Sequence, residues 1–251
     1  MTATLLGLLL LSGLAAQSDD GPRGDGAVEA VGRVALELPD STADLAPAVA
    51  AEGRWLAARG CTLAVASREE RAAVSLAAAR LRAMLADPAF TALVRDERDW
   101  AVPAPGGAWR DDPDAGARAL AALLDPTVPG PAALALLSYG AAPGATCASL
   151  AGDATNAYSV PERGVVLLRR AYLADAVTGD PDAPTRLAGT LVHEVLHALG
   201  FAHPDLADVG AVATYRRTVP VWFACAARHW PDVNAVHNRC GAASGALARL
   251  H

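Results

Sequence analysis

The segment from His193 to His203 constrains this chain more than any other. It contains three histidines, one glutamate and one glycine in the pattern H-E-x-x-H-x-x-G-x-x-H. His193 and His197 are four residues apart, so on an α-helix their imidazoles share one face and can reach one ion. Gly200 falls where that helix would end, at a position that often needs a positive φ. A chain reversal there brings His203 up as a third ligand, which predicts a metal site with an open fourth position, typical of catalytic zinc.

The helix that carries these ligands is predicted at residues 184–199. Pro184 and Thr185 suit its first turn. Apolar residues cover most of its circumference, which indicates a buried helix. The polar residues, the ligands among them, fall within roughly 100° of arc. We expect that polar stripe to face a cleft.

Glu194 lies about 100° further round the helix than His193. That direction does not suit a third ligand, but it flanks the ion, where a carboxylate can accept a proton from water. Five specified residues would coincide by chance on the order of 10⁻⁸ times per start position. We therefore interpret the pattern as a real metal site with Glu194 as its base.

These residues resemble the long zinc signature of the metzincin metallopeptidases, and more broadly of the zincins. The resemblance covers eleven residues. It implies that His193, His197 and His203 bind Zn²⁺ and that Glu194 is the catalytic acid/base. It also implies an upper subdomain with a mixed sheet and a less regular lower subdomain after the signature.

The chain departs from this family in one respect. Metzincins carry a methionine turn that forms a floor beneath the metal, whereas this chain has only Met1 and Met84, both upstream of His203. The apolar, proline-containing segment Thr218–Trp222 is our candidate replacement, and we predict that it is a turn close to the histidines.

Other polar residues downstream of His203 are secondary candidates. In some metzincins a tyrosine from this region ligates the metal or stabilises the oxyanion, so the resemblance implies a catalytic role for Tyr215. Packing of Tyr215 at a subdomain boundary is the alternative. Asp205 and Asp208 can orient a ligand imidazole or cap the next helix.

The organisation of the chain is predicted as follows. Residues 1–16 resemble a signal peptide with an apolar core, and residues 17–26 a flexible lead-in. Residues 27–251 form one zincin-like metallopeptidase domain, of which 27–130 is a helical part and 131–251 the catalytic part. The helical part is either integral to the domain or a pro-region. We expect a secreted or periplasmic protein with no stable membrane insertion after signal cleavage.

Four cysteines agree with export and allow three pairings. We favour Cys225–Cys240, because the loop between them is short and contains turn-forming residues. Cys61 and Cys147 would then bridge the upstream half. The alternatives are buried free thiols, or Cys61 as a thiolate that blocks the zinc of a proenzyme.

The net charge of the chain limits which kinds of binding partner are expected. The formal net charge is −6 and no basic cluster is present, which argues against nucleic acid as a partner. A peptide or protein substrate is expected instead, and the oligomeric state is not predicted.

Local signals place the remaining elements. Helices are predicted to dominate residues 42–125. Three signals mark where these helices begin or end: a capping box at Ser67–Glu70, the pair Asp87-Pro88 between two helices, and Asp114 as an N-cap. Residues 102–107 are predicted as a loop, and 127–144 are rich in proline and glycine. Short strands are predicted at 145–151, 156–160 and 165–168. In zincins an edge strand in this vicinity borders the cleft, so the resemblance implies the same for one of these strands.

The predicted fold class is therefore α+β and zincin-like. It has a helix-rich N-terminal part, a small mixed sheet, the active-site helix at about 184–199 and an irregular, disulfide-containing C-terminal subdomain. The predicted function is a secreted zinc-dependent endopeptidase that hydrolyses peptide bonds through a zinc-activated water, with Glu194 as general base. The alternatives are a catalytically inactive secreted zinc-binding or adhesion module, and hydrolysis of a non-protein amide.

Overall fold

A computed structural model describes residues 38, 54, 57–58, 61–125, 133–139, 157–160, 165–204 and 211–241. Its helices are α1 (Arg68–Ala86), α2 (Pro88–Asp96), α3 (Ala115–Leu124), α4 (Ala174–Val177), α5 (Ala183–Ala198), α6 (Ala211–Arg216), α7 (Val219–His229) and α8 (Val233–Cys240). Its strands are β1 (Cys61–Ala64), β2 (Ala101–Pro103), β3 (Trp109–Asp111), β4 (Ala133–Tyr139), β5 (Ala157–Val160) and β6 (Val165–Arg169). The predicted signal peptide, the lead-in, the strand at 145–151, Cys147, Asp205 and Asp208 all lie outside these ranges.

Four strands form one sheet in the order β1-β4-β6-β5. The central strands β4 and β6 run parallel, while β1 and β5 pair antiparallel at the two edges. β2 and β3 form a separate hairpin. Together with the helices, this sheet confirms the α+β class. None of the described helices is long and apolar enough to cross a membrane.

The predicted capping box at the start of α1 is confirmed. The Ser67 hydroxyl accepts from the Glu70 N–H at 3.1 Å, and the Glu70 carboxylate accepts from the Ser67 N–H at 2.6 Å. The same carboxylate accepts two further hydrogen bonds from Arg170, at 2.7 and 3.2 Å. Because Arg170 directly follows β6, this contact ties the first turn of α1 to the end of a central strand.

Several strand predictions were wrong or incomplete. The strand β1 lies in the region predicted as helical, and β4 lies in the proline- and glycine-rich region predicted without a strand. Both are rich in alanine and leucine, so their strand conformation depends on the neighbouring strands rather than on intrinsic preference. The predicted loop at 102–107 is in part strand β2, which is too short to show an alternating pattern. The strands predicted at 156–160 and 165–168 are confirmed as β5 and β6.

Two predictions about helices also need correction. Asp114 precedes α3 but accepts no capping hydrogen bond with its side chain. The Asp112 carboxylate instead accepts from the Asp114 N–H at 3.3 Å and from Arg118 at 2.7 Å. The C-terminal part, predicted to be irregular, contains the helices α6, α7 and α8, because apolar residues recur at helical spacing in α7 and pack inward.

The helix α5 lies between its neighbours α1 and α7 and also contacts β5 and β6. Ten of its sixteen residues are buried, as predicted for an apolar helix. A cluster of aromatic side chains fills the space between α2 and α7. Its members are Phe90, Trp100, Trp222, Phe223 and Trp230.

The predicted disulfide between Cys225 and Cys240 is confirmed. It joins α7 to the end of α8 across a sequence separation of 15 residues. A bridge closing a loop of that length stabilises a fold by about 3 kcal/mol. The pairing of Cys61 with Cys147 stays a prediction, because Cys147 lies outside the described ranges.

Helices α5 and α7 approach each other closely at Gly189. A Cβ atom built on Gly189 would lie 2.6 Å from the carbonyl oxygen of Ala224 and 3.2 Å from Cγ and Nε of Arg228. Real Cβ atoms do not approach a carbonyl oxygen so closely. Only glycine therefore lets the two helix backbones pack at this separation.

We predict that Gly189→Ala destabilises the protein. Alanine in a helix interior normally stabilises by about 1 kcal/mol relative to glycine. Here the added methyl group meets a rigid backbone carbonyl, and overpacking of this kind costs roughly 1–3 kcal/mol. Urea unfolding followed by circular dichroism measures the change. A higher free energy of unfolding in the variant would show that the helices are not in this contact.

Candidate metal centre

Helix α5 presents His193 and His197 on one face. It spans Ala183–Ala198, within one residue of the predicted bounds at each end. The Nε2 atoms of the two imidazoles are 3.0 Å apart. The spacing of four residues thus has the predicted consequence, two ligand atoms one helical turn apart that converge on one point.

Gly200 ends the helix and turns the chain back. Its φ is +89°, as predicted for this position. The Gly200 N–H donates to the carbonyl of His197, and the Phe201 N–H donates to the carbonyl of Leu196, both at 2.9 Å. This pair of bonds is the Schellman arrangement that closes many helices. It brings His203 back until its Nε2 is 3.1 Å from that of His193.

Backbone carbonyls orient two of the three imidazoles. Nδ1 of His197 lies 2.7 Å from the carbonyl oxygen of Phe201, and Nδ1 of His203 lies 3.0 Å from that of Pro204. A carbonyl only accepts, so each of these two imidazoles donates its proton there and keeps its Nε2 lone pair for the shared point. The backbone of Pro220, at the start of α7, acts to raise the pKa of His193.

The three histidines fit a divalent metal. Their ligand atoms all lie within 4.8 Å of one another. A tetrahedral ion with Zn–N bonds of 2.0–2.1 Å needs ligand nitrogens about 3.3 Å apart, close to the 3.0 and 3.1 Å found here. Three lone pairs directed at one point repel each other unless a cation lies between them, so this donor set is built for a metal.

The surroundings keep the imidazoles neutral. Burial lowers the pKa of His193 well below its usual value, and the neighbouring His197 and His203 lower it further. Burial also lowers the pKa of His197, although its bond to the carbonyl of Phe201 opposes that effect. Because a neutral imidazole is the form that binds metal, both ligands are ready at neutral pH.

Glu194 lies beside the ligands in an apolar setting. Its side chain belongs to the buried polar residues of the chain, with 7% exposure. Burial raises the pKa of its carboxyl group to about 8, since a low-dielectric setting disfavours the charged form. A cation held by the three histidines would lower this pKa again, because an opposite charge nearby favours the carboxylate.

Tyr215 packs against His203, so it lies near the histidines as the sequence predicted. Its ring lies edge-on to that of His203, with centroids 4.7 Å apart. Burial raises the pKa of its hydroxyl, the positive charge of Arg228 lowers it, and Glu194 raises it. Tyr215, Glu194 and Arg228 therefore share one electrostatic environment next to the histidines.

The segment Thr218–Trp222 is close to the histidines but is not a turn. Thr218 is the N-cap of α7 and the next residues form its first turn, with proline at a position where a missing N–H costs nothing. Its link to the site is Pro220, whose backbone acts to raise the pKa of His193. The segment therefore lies close to one of the three histidines, as predicted, but it is the start of a helix and not a turn.

Sequence reasoning missed some members of this site. The carbonyls of Phe201 and Pro204 orient two of the histidines, and backbone acceptors leave no signature in a sequence. Thr190, one turn before Glu194, is hydrogen-bonded to the hydroxyl of Tyr172 at 2.9 Å. That bond links α5 to the segment after β6 and supports the turn of α5 that precedes the site.

Comparison with known proteins gives no relative for this chain: no family model matches it, and neither does any curated protein or solved structure. The function must therefore be argued from the metal centre itself.

We predict that the protein binds one Zn²⁺ through the three histidines. Replacing any one of them with alanine should weaken binding on the order of 100-fold or more, because second-shell changes alone cost 10–100-fold. Competition with a fluorescent chelator measures the affinity. His237→Ala is the matched control, since His237 is an exposed histidine on α8. Equal weakening by the control would refute the assignment.

We predict that Gly200→Ala and Gly179→Ala separate backbone strain from ligand placement. Both glycines have φ near +90° and open space around them, +89° and +88° respectively. Each alanine should therefore destabilise the metal-free protein by about 1–2 kcal/mol. Only Gly200→Ala should also weaken zinc binding, by about tenfold, because it displaces the turn that positions His203. Unfolding curves and zinc titrations of both variants test this, and equal zinc affinities would contradict it.

Proposed function

We propose that this protein is a secreted zinc-dependent endopeptidase of the zincin class. The observation that carries the proposal is the convergence of three Nε2 lone pairs next to a buried carboxyl group. His193, His197 and His203 hold the metal and leave a fourth position open. Glu194 adjoins that position, which is the arrangement needed for hydrolysis by an activated water.

Bound zinc supplies a Lewis acid, which lowers the pKa of water and polarises a carbonyl group. Glu194 accepts the proton of the attacking water at a carboxylate oxygen. It then donates that proton to the nitrogen of the leaving amine, which completes the cleavage of the amide bond. One buried carboxyl group can serve as base and then as acid because its neutral and charged forms are close in energy.

The protonation state of Glu194 depends on whether the three histidines hold a metal ion. The pKa of about 8 means that the carboxyl group is mostly protonated at neutral pH without a cation. The opposite charge of a divalent ion lowers this pKa, so Glu194 becomes a base once the three histidines hold their metal. The apolar setting that disfavours the free carboxylate also strengthens its attraction to the ion.

Tyr215 is our proposed second catalytic residue. Burial and the nearby Glu194 raise the pKa of its hydroxyl, so the group keeps its proton at neutral pH. A protonated hydroxyl beside His203 can donate a hydrogen bond to the oxyanion of a tetrahedral intermediate. Its ring contact with His203 supports this position.

The sheet supports a peptide as substrate. Among the strands that the structure describes, β5 lies at the edge of the sheet and pairs only with β6, and it packs against α5. An extended peptide can add to such an edge through main-chain hydrogen bonds. A substrate held along β5 would run beside the helix that carries His193 and Glu194, which favours cleavage within a chain. The disulfide at Cys225 and Cys240 supports export, where such bonds persist.

We predict that Glu194→Gln abolishes hydrolysis and keeps zinc. Glutamine has the shape of glutamate but cannot accept and deliver the proton, so cleavage of casein should fall about 10²–10⁴-fold. Zinc content, measured by mass spectrometry, should stay at one ion per chain. Glu69→Gln, an exposed glutamate on α1, is the control and should keep full activity.

The outcomes of this experiment separate the candidate functions. Residual cleavage by Glu194→Gln at the wild-type rate would refute the mechanism. Zinc binding without any cleavage of protein by the wild type would instead favour the non-catalytic binding module, or an amide substrate that is not a protein.

A further inference from the structure

Among the residues that the structure describes, the arginine near the end of α7 has no counter-charge. Nε of Arg228 is buried without a hydrogen-bond acceptor, and no ion pair joins its guanidinium to a carboxylate of the described residues. Arg118, Arg170 and Arg186 differ, because each pairs with a carboxylate at 2.7 Å. A half-buried cation without an anion is costly, so its presence needs an explanation.

The side chain of Arg228 lies against Gly189 on α5, one helical turn before His193. Pro220, Ala224 and Arg228 are spaced four residues apart on α7, so they form one stripe. The backbone of Pro220 acts on the pKa of His193, while Ala224 and Arg228 approach Gly189, one turn earlier on α5. The two helices are therefore antiparallel here. Side chains of a helix lean towards its N-terminus, which on α7 is the end at the histidines.

Electrostatic effects agree with this position. Beyond burial and the other two histidines, the charge of Arg228 further lowers the pKa of His193. The same charge opposes the burial that raises the pKa of Tyr215. The pKa of Glu194, by contrast, is shifted by burial alone. Together with the contact at Gly189, one helical turn before His193, these effects put the guanidinium near the histidines.

We infer that Arg228 binds a carboxylate of the substrate next to the scissile amide. A guanidinium presents paired N–H donors that match a carboxylate in planar, bidentate geometry. An acidic side chain of the substrate fits cleavage within a chain, whereas a free C-terminus at this position would make the protein a carboxypeptidase, and the probes below distinguish the two. Arg228 is then a specificity-determining residue, and Gly189 has a second role, since its missing side chain leaves room for the arginine stem. This inference rests on the proposed zinc peptidase function.

The test uses zinc-loaded protein and inhibitors that anchor on the metal. The probes are malonyl hydroxamates coupled to alanine, alanine amide, glutamate amide and glutamine amide. The first pair differs by a C-terminal carboxylate and the second by a side-chain carboxylate. Displacement of a fluorescent hydroxamate measures the affinities. We expect one carboxylate probe to bind about tenfold or more tightly than its amide partner, and which pair shows the preference identifies the source of the carboxylate.

Variants assign the preference to the arginine. Arg228→Met keeps an apolar stem and removes the charge, so it should abolish the tenfold preference and leave binding of the amide probes unchanged. Arg228→Lys should restore part of the preference. Arg95→Met, an exposed arginine on α2, should change nothing. Circular dichroism and zinc content confirm that each variant is folded and loaded, and Arg228→Met should fold because it removes an unpaired charge.

The outcomes distinguish this inference from the proposed function. Equal affinities for both members of both pairs, or a preference that survives in Arg228→Met, would overturn the inference while leaving zinc hydrolysis intact. Protein that takes up no zinc, and so binds no hydroxamate, would refute the metal centre and this inference with it. A preference that depends on Arg228 in a protein that cleaves no peptide would support the carboxylate site and refute only the peptidase proposal.

Discussion

The close antiparallel contact between α5 and α7 is the constraint on which the metal centre depends. It exists because Gly189 has no side chain where the carbonyl of Ala224 approaches. At this separation Pro220, in the first turn of α7, is near enough to the three histidines to raise the pKa of His193. The aromatic side chains on the other side of α7 anchor it to α2, and its disulfide holds α8. Helix α7, which carries none of the three histidines, thus helps to position α5, which carries two of them.

The candidate metal centre is a polar site among apolar side chains. Burial there disfavours the charged forms of its titratable groups. Burial favours neutral imidazoles at His193 and His197 and a neutral carboxyl group at Glu194. Without a metal the site therefore needs little hydration, which makes it compatible with a buried helix. A divalent ion reverses this preference for Glu194. Binding of the metal and activation of the base are consequently one coupled event in the proposed mechanism.

Sequence patterns predicted elements well where the cause of the structure is local. The capping box at Ser67, the helix break at Asp87-Pro88 and the positive φ of Gly200 each follow from interactions within a few residues. The strands β1 and β4 were missed because alanine and leucine do not prefer strands, and only pairing with each other and with β6 gives them that conformation. The C-terminal helices were missed because the resemblance to zincins implied irregular structure.

The sequence by itself determined the ligands and their spacing. A separation of four residues on a helix, followed by a glycine that permits a positive φ, suffices to bring three imidazoles together. Only the tertiary structure decided how those imidazoles are oriented and what surrounds them. Pro220 and Arg228, whose guanidinium has no ion pair among the described residues, approach the site from α7, more than twenty-five residues along the chain from His193. Contacts of that kind depend on helix packing, which no local pattern encodes.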